Sequence, residues 1–225
     1  MGAWWRDDRG LSVLLASLVT INFFLPLFRD RPEANLLVQL FFTLVFASGL
    51  ASETRSRAER IAGALVFAVA VALHWIDYFQ PDAGLAVWVS LTRVLAVAVL
   101  IVLVVRHVFR EGPITVQRIQ GAVAVYLLLG VLWAGLYEMI HTLSPAAFRF
   151  AEPPQTHAEL VTSLAYYSFV TLTTMGYGDI TPVHPAARSA AMLEALTGQL
   201  FPAILIARLV AMELAAREDR AAIDR

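Results

Sequence analysis

The chain has 225 residues, of which 59% are hydrophobic and 16% charged, with a mean hydropathy of +0.67 and a formal charge of −1. A soluble domain of this size carries about a quarter charged residues, so the composition excludes an ordinary water-soluble fold, and the near-zero charge suggests no nucleic-acid partner. With no cysteine, disulfides and thiolate metal sites are excluded, and every basic residue is Arg.

Trp4 and Trp5, beside Arg6, Asp7, Asp8 and Arg9, read as a short interfacial segment with indoles at headgroup level. The apolar run 11–28 is longer than the apolar stretch of a signal peptide and lacks a small-x-small cleavage site, so it reads as a retained first span. A second span covers 34–51, and a charged connection runs from Glu53 to Arg60. The third runs 61–79 and the fourth 84–105. Arg106, His107, Arg110 and Glu111 follow, and Gly112-Pro113 then breaks the helix. Residues 1–110 thus form a four-helix N-terminal membrane domain.

Two further apolar segments, 119–140 and 188–214, enclose a polar loop over 141–158 and a short segment over 159–172. The short one cannot cross a bilayer, which takes about 20 apolar residues. It leads into Thr171-Leu172-Thr173-Thr174-Met175-Gly176-Tyr177-Gly178-Asp179, so the chain is expected to dip in, turn and come back out. Non-helical backbone at membrane depth survives only where protein buries it or where it lines a watery cavity. Glycine reaches backbone angles closed to other residues, so Gly176 and Gly178 allow successive carbonyls to face one side. An ordinary surface turn accounts for the glycines, but not for the preceding threonines or the two flanking spans.

The run Thr-Met-Gly-Tyr-Gly-Asp after Ser168-Phe169-Val170-Thr171-Leu172-Thr173 resembles the pore helix and selectivity filter of tetrameric potassium channels, a likeness that covers 119–214. The resemblance implies an all-α membrane protein: six transmembrane helices, a re-entrant pore helix and a filter, assembled as a homotetramer around a central pore. One chain then supplies a quarter of each carbonyl ring, and three identical subunits supply the rest. Potassium ions would sit at the carbonyls of Thr174, Met175, Gly176 and Tyr177, with Gly178 closing the filter and the Thr174 hydroxyl adding a ring at its inner end. Thr173 supports the filter, Tyr166 and Tyr167 take the place of an aromatic cuff, and Asp179 stands at the outer mouth. Two departures from the family pattern are Met175, where Val or Ile is usual, and Val170, where some relatives place a bracing Glu.

In the inner helix Arg188 matches and Gly198 stands at the family's hinge glycine, with Pro202 one turn later expected to kink the helix. Gln199, Ile206 and Val210 share a helical face with Gly198 and are expected to line the cavity and gate. Glu194, an intramembrane carboxylate, is a candidate for bonding to pore-helix hydroxyls such as Ser168 or Thr171. The pore domain covers 113–217, and 218–225 form a short charged tail, so gating through an attached ligand-binding domain is not expected. No metal-ligand cluster, nucleophile–base pair or phosphate loop suggests an enzyme, and no organic cofactor is implied. Arginines cluster on the segments that this topology places inside, which puts both termini in the cytoplasm and the chain in a plasma (bacterial inner) membrane, surrounded by lipid. The reading is a potassium-selective channel with passive conduction; the alternatives are a weakly selective cation channel and a non-conducting sensor or regulatory subunit on the same fold.

Four helices before a pore resemble a voltage-gated plan, but the fourth span carries Arg93 alone, with Ala96, Val99 and Val102 where further charges would recur. Asp77 is a candidate partner for Arg93, with Asp82 and Asn22 behind it; the alternative is that Arg93 snorkels to the nearby outer interface. Each charge that crosses 100 mV contributes about 2.3 kcal/mol, so one arginine gives weak voltage dependence. Conductance recorded against voltage is expected to change little over a few tens of millivolts, and a several-fold rise there would contradict the reading.

Overall fold

The computed structural model describes residues 9–24, 43, 57–79, 85–109 and 115–223. The order is α1 (Arg9–Val19, continued by a π-helical turn Thr20–Phe24), α2 (Arg57–Phe79), α3 (Ala86–Val108), α4 (Val116–Leu143), β1 (Phe148–Phe150), α5 (His157–Leu172), β2 (Ile180–Pro182) and α6 (Pro185–Ile223). The expected interfacial segment and the second span, 34–51, lie outside the described residues except for Thr43.

Three of the described helices are long and apolar enough to cross a membrane: Ala86–Val108, Val116–Leu143 and Pro185–Ala211 of α6. They make the chain a multi-pass membrane protein. The third expected span, 61–79, falls within the 23-residue helix α2, whose apolar part among the described residues is Leu65–Ile76. α1 carries Leu11, Leu14 and Leu18 at helical spacing and lays them on α4. α3 buries Val89, Ser90, Ala96, Val97, Leu100, Val104 and Val108 along one face, and Ala122, Ala124, Val125, Leu127 and Leu128 of α4 complete that core. Gly121 and Gly135 give α4 its close approaches to Val108 and Val94 of α3.

α5 begins where the sequence caps it. The Thr156 hydroxyl accepts from the Glu159 amide at 3.2 Å, and the Glu159 carboxylate accepts from the Gln155 amide at 2.7 Å, a reciprocal arrangement that satisfies amides left free in a first helical turn. At 16 residues the helix is about 24 Å long at 1.5 Å per residue, short of the roughly 30 Å hydrocarbon layer. The expected half-crossing segment is therefore a real helix, and it ends at Leu172 with Thr173 as its cap.

Over 141–158 the sequence reading expects a solvated loop, and here the structure differs. β1 pairs antiparallel with β2, setting Phe148 opposite Pro182, Arg149 opposite Thr181 and Phe150 opposite Ile180. The Ala151 amide donates to the Asp179 carbonyl at 2.8 Å. Alternation over three residues is too short a pattern to read as a strand from sequence, and the Phe side chains that anchor it find their partners only in three dimensions.

α6 is one helix from Pro185 to Ile223, with Pro202 inside it. It crosses the end of α5 at Gly198, where an added Cβ would lie 1.8 Å from the Leu172 carbonyl oxygen and 2.7 Å from its carbon. The obstacle is backbone and cannot swing away. Gly198→Ala is accordingly expected to cost at least the 1–3 kcal/mol typical of overpacking, whereas Gly135→Ala, which meets the Val94 side chain at 3.0 Å, costs less. Thermal unfolding of the two variants in detergent checks the order, and equal melting temperatures would remove Gly198 from this role.

Candidate functional site

The residues after α5 do not continue as a regular strand. Thr174, Gly176 and Gly178 have φ of 61°, 56° and 82°, and no other described residue outside glycine has positive φ. Met175 and Tyr177 between them lie on the ordinary side, so the sign of φ alternates along five residues. In a regular strand successive peptides face opposite ways, and this alternation undoes that. The hydrogen bonds fix the sense: the amides of Met175 and Gly176 both donate to the Val170 carbonyl, at 2.9 and 3.3 Å, and the Thr174 amide donates to the Thr171 carbonyl at 2.9 Å. Because N–H and C=O of a trans peptide point opposite ways, committing these N–H groups to the last turn of α5 turns the carbonyls of Thr173, Thr174 and Met175 away from it. Threonine at positive φ is held against its own preference, at a cost on the order of 1–2 kcal/mol, and the surrounding structure supplies it.

The front of this strand is open. Thr173 to Asp179 are exposed in the single chain, Met175 at 58% and Tyr177 at 62%, and nothing lies within 4 Å of where a Cβ would stand on Gly176 or Gly178. The back of α5 is closed. Glu194 of α6, fully buried, accepts from Ser168 Oγ at 2.5 Å on one carboxylate oxygen and from the Tyr137 hydroxyl on the other. Ser168 Oγ also lies 2.8 Å from the Gly130 carbonyl. Of the two hydroxyl candidates in the sequence reading, Ser168 is thus a partner of Glu194. Val170, where a bracing carboxylate was noted as missing, is a buried apolar contact, and the carboxylate that holds α5 arrives from α6 instead.

At the junction of α5 and the strand, the Leu172 carbonyl accepts from the Tyr126 hydroxyl at 3.2 Å, and the Tyr126 ring stacks on Phe201 at 6.0 Å. Three helices thus converge on one carbonyl. Tyr126 was not singled out in the sequence; a hydroxyl in an otherwise apolar span was its signal. Tyr167 is buried, edge-on to Tyr137 at 5.0 Å and to Phe148 at 5.5 Å, whereas Tyr166 is 40% exposed and faces the charge of Asp179. The two expected cuff residues therefore divide: one packs within the chain and one looks outward.

Thr173 Oγ1 turns back to the Phe169 carbonyl at 2.6 Å. Asp179 is exposed beside β2, and His184 Nδ1 accepts from the Ala186 amide to cap α6. Gln199, Ile206 and Val210 are exposed on α6, while Gly198 is buried against Leu172. The structure gives Gly198 a packing role that the sequence did not reveal. Pro202 lacks the amide hydrogen that would bond the Gly198 carbonyl, so the two residues act on the same turn.

Arg93 lies on the packing face of α3 and forms an ion pair with Glu138 of α4. The sequence reading named Asp77 as partner, and that side chain lies outside the described residues. Glu138 went unremarked, although a carboxylate within an apolar span is a signal in itself.

Since Ser168 and Tyr137 share one buried carboxylate, Ser168→Ala and Tyr137→Phe are each expected to cost about 1–3 kcal/mol, as a buried acceptor left unsatisfied does. The double variant should cost less than the sum. Unfolding free energies of the four proteins test this, and additivity within about 0.3 kcal/mol would mean that the two hydroxyls do not act through Glu194.

No curated protein matches the chain. Residues 127–214, from the middle of α4 to α6, match a family model described as an ion channel. That stretch holds α5, the alternating strand and both buried hydroxyl partners of Glu194, and it is similar to an ion-channel domain.

Proposed function

We propose that the chain is one subunit of a homotetrameric, potassium-selective channel. α5 is its pore helix, and the carbonyls of Thr174, Met175, Gly176 and Tyr177 line the filter. The observation that carries this reading is the alternating sign of φ at 174–178 together with the amides of Met175 and Gly176 turned onto Val170. Such a strand offers a column of oxygens, the chemistry that replaces the hydration shell of a monovalent cation. Bare, irregular backbone is not tolerated facing lipid, so its exposure in one chain favours further copies around it. Four pore-helix C-termini, each with about half a negative charge, would favour a cation beneath the filter, and four Asp179 carboxylates would concentrate cations above it.

In this reading the membrane domain has six spans with both termini cytoplasmic, and Gln199, Ile206 and Val210 line the cavity below the filter. Gly198 and Pro202 define the turn about which the inner helix opens. Glu194 positions the pore helix and does not meet the ion. Arg93 alone on α3 leaves the channel without steep voltage gating, and conduction is passive.

Purified protein reconstituted in bilayers with unequal potassium is expected to reverse near the potassium equilibrium potential, about 59 mV per tenfold gradient, with sodium replacing potassium poorly. A reversal near zero in mixed ions would favour the weakly selective reading, and silence would favour the non-conducting one. Gly178→Ala meets no neighbour but places a Cβ at φ 82°, so it should abolish selective conduction while the protein still folds.

A further inference from the structure

A second polar cluster lies away from the filter, where the N-terminal helices meet the pore domain. Glu138 of α4 divides its two oxygens. Oε2 faces Arg93 of α3. Oε1 lies 3.4 Å from the Ser90 hydroxyl, also on α3, and 3.6 Å from His157 Nε2. His74 of α2 lies within electrostatic reach of both Arg93 and His157. One carboxylate thus gathers side chains from α3 and from the first residue of α5, with α2 adjoining. The Glu138 and Arg93 side chains are almost enclosed, at 6% and 12% exposure, whereas that of His157 is 64% exposed. Water and protons reach the histidine but scarcely reach its partners.

We infer that His157, Glu138 and Arg93 form a proton-responsive clamp through which α3 holds the first turn of the pore helix. Histidine changes charge between about pH 5 and 8. When it is neutral, the first turn of α5 is held to Glu138 weakly. When it is charged, an ion pair forms on the oxygen that Arg93 leaves free, so both cations can be held together. A cation at a helix N-terminus is opposed by the helix dipole, and Glu138 offsets that opposition. The other titratable groups near His157 are His74 on α2, Arg93 on α3, His141 one turn along α4 and Glu159 on α5 itself. Because α5 is a single short helix whose last turn holds the amides of Met175 and Gly176, a change at its first turn bears on the filter directly.

The site lies at the Asp179 end of the filter, since Ala151, just before α5, bonds to the Asp179 carbonyl. The response is therefore expected from one side of the membrane only. The electrical form of this inference rests on the channel reading; the contact itself does not. The test varies pH between 5.5 and 8 on each side of a bilayer containing the wild type, His157→Gln, His74→Gln or Glu138→Gln, and follows melting temperature over the same range in detergent. Expected is a several-fold change in open probability from the Asp179 side only, kept in His74→Gln and flattened in His157→Gln and Glu138→Gln. Acidification should raise the melting temperature of the wild type relative to that of His157→Gln. A conducting His157→Gln that keeps the full pH response overturns the clamp. If the wild type is silent, the channel reading fails and melting alone decides: that relative rise supports the clamp, and its absence overturns it.

Discussion

The last turn of α5 governs the molecule. The last turn of a helix leaves carbonyls without partners within the helix. Here the amides of the next residues turn back to fill that need: Val170 accepts twice, and Phe169 and Thr171 accept once each from the backbone amides of Thr173 and Thr174. Satisfying the helix end and forming the alternating strand are one arrangement. The left-handed conformations at Thr174, Gly176 and Gly178 are what allow the backbone to do both.

The remaining helices keep that turn in place. Tyr126 bonds to the Leu172 carbonyl, Gly198 lets α6 reach the same peptide, and Glu194 ties the middle of α5 to α4 and α6 through two hydroxyls. The two carboxylates of the core serve different ends. Glu194 meets the hydroxyls of Tyr137 and Ser168, as suits a group that fixes position. Glu138 is met by Arg93 and lies beside a histidine that water can reach, as suits a group whose surroundings change charge.

Much of this was legible in the residues. The length of the 159–172 segment announced a short helix, and the paired glycines announced the positive backbone angles found at both. An intramembrane carboxylate at 194 pointed to hydroxyl partners, and Ser168 proved to be one. Less legible was anything that depends on two distant elements meeting. Nothing local distinguishes Gly198 as a hinge from Gly198 as a crossing point, because the answer is the position of Leu172. Arg93 and Glu138 lie 45 positions apart, on helices whose relative rotation no periodicity fixes. The three-residue strands fell below the length at which alternation carries information, so 141–158 read as solvent-exposed loop.

Those strands carry a consequence of their own. By joining Phe148–Phe150 to Ile180–Pro182, they pin together the start and finish of the excursion that contains α5 and the alternating strand. Its base is stapled, so extra residues placed in the exposed tip at 151–155 would lengthen a rim and leave the register beneath untouched. A tag or epitope inserted there is a natural handle on a protein whose other surfaces are largely greasy. An insertion between 173 and 179 has no such shelter, since it would break the alternation of backbone angles itself.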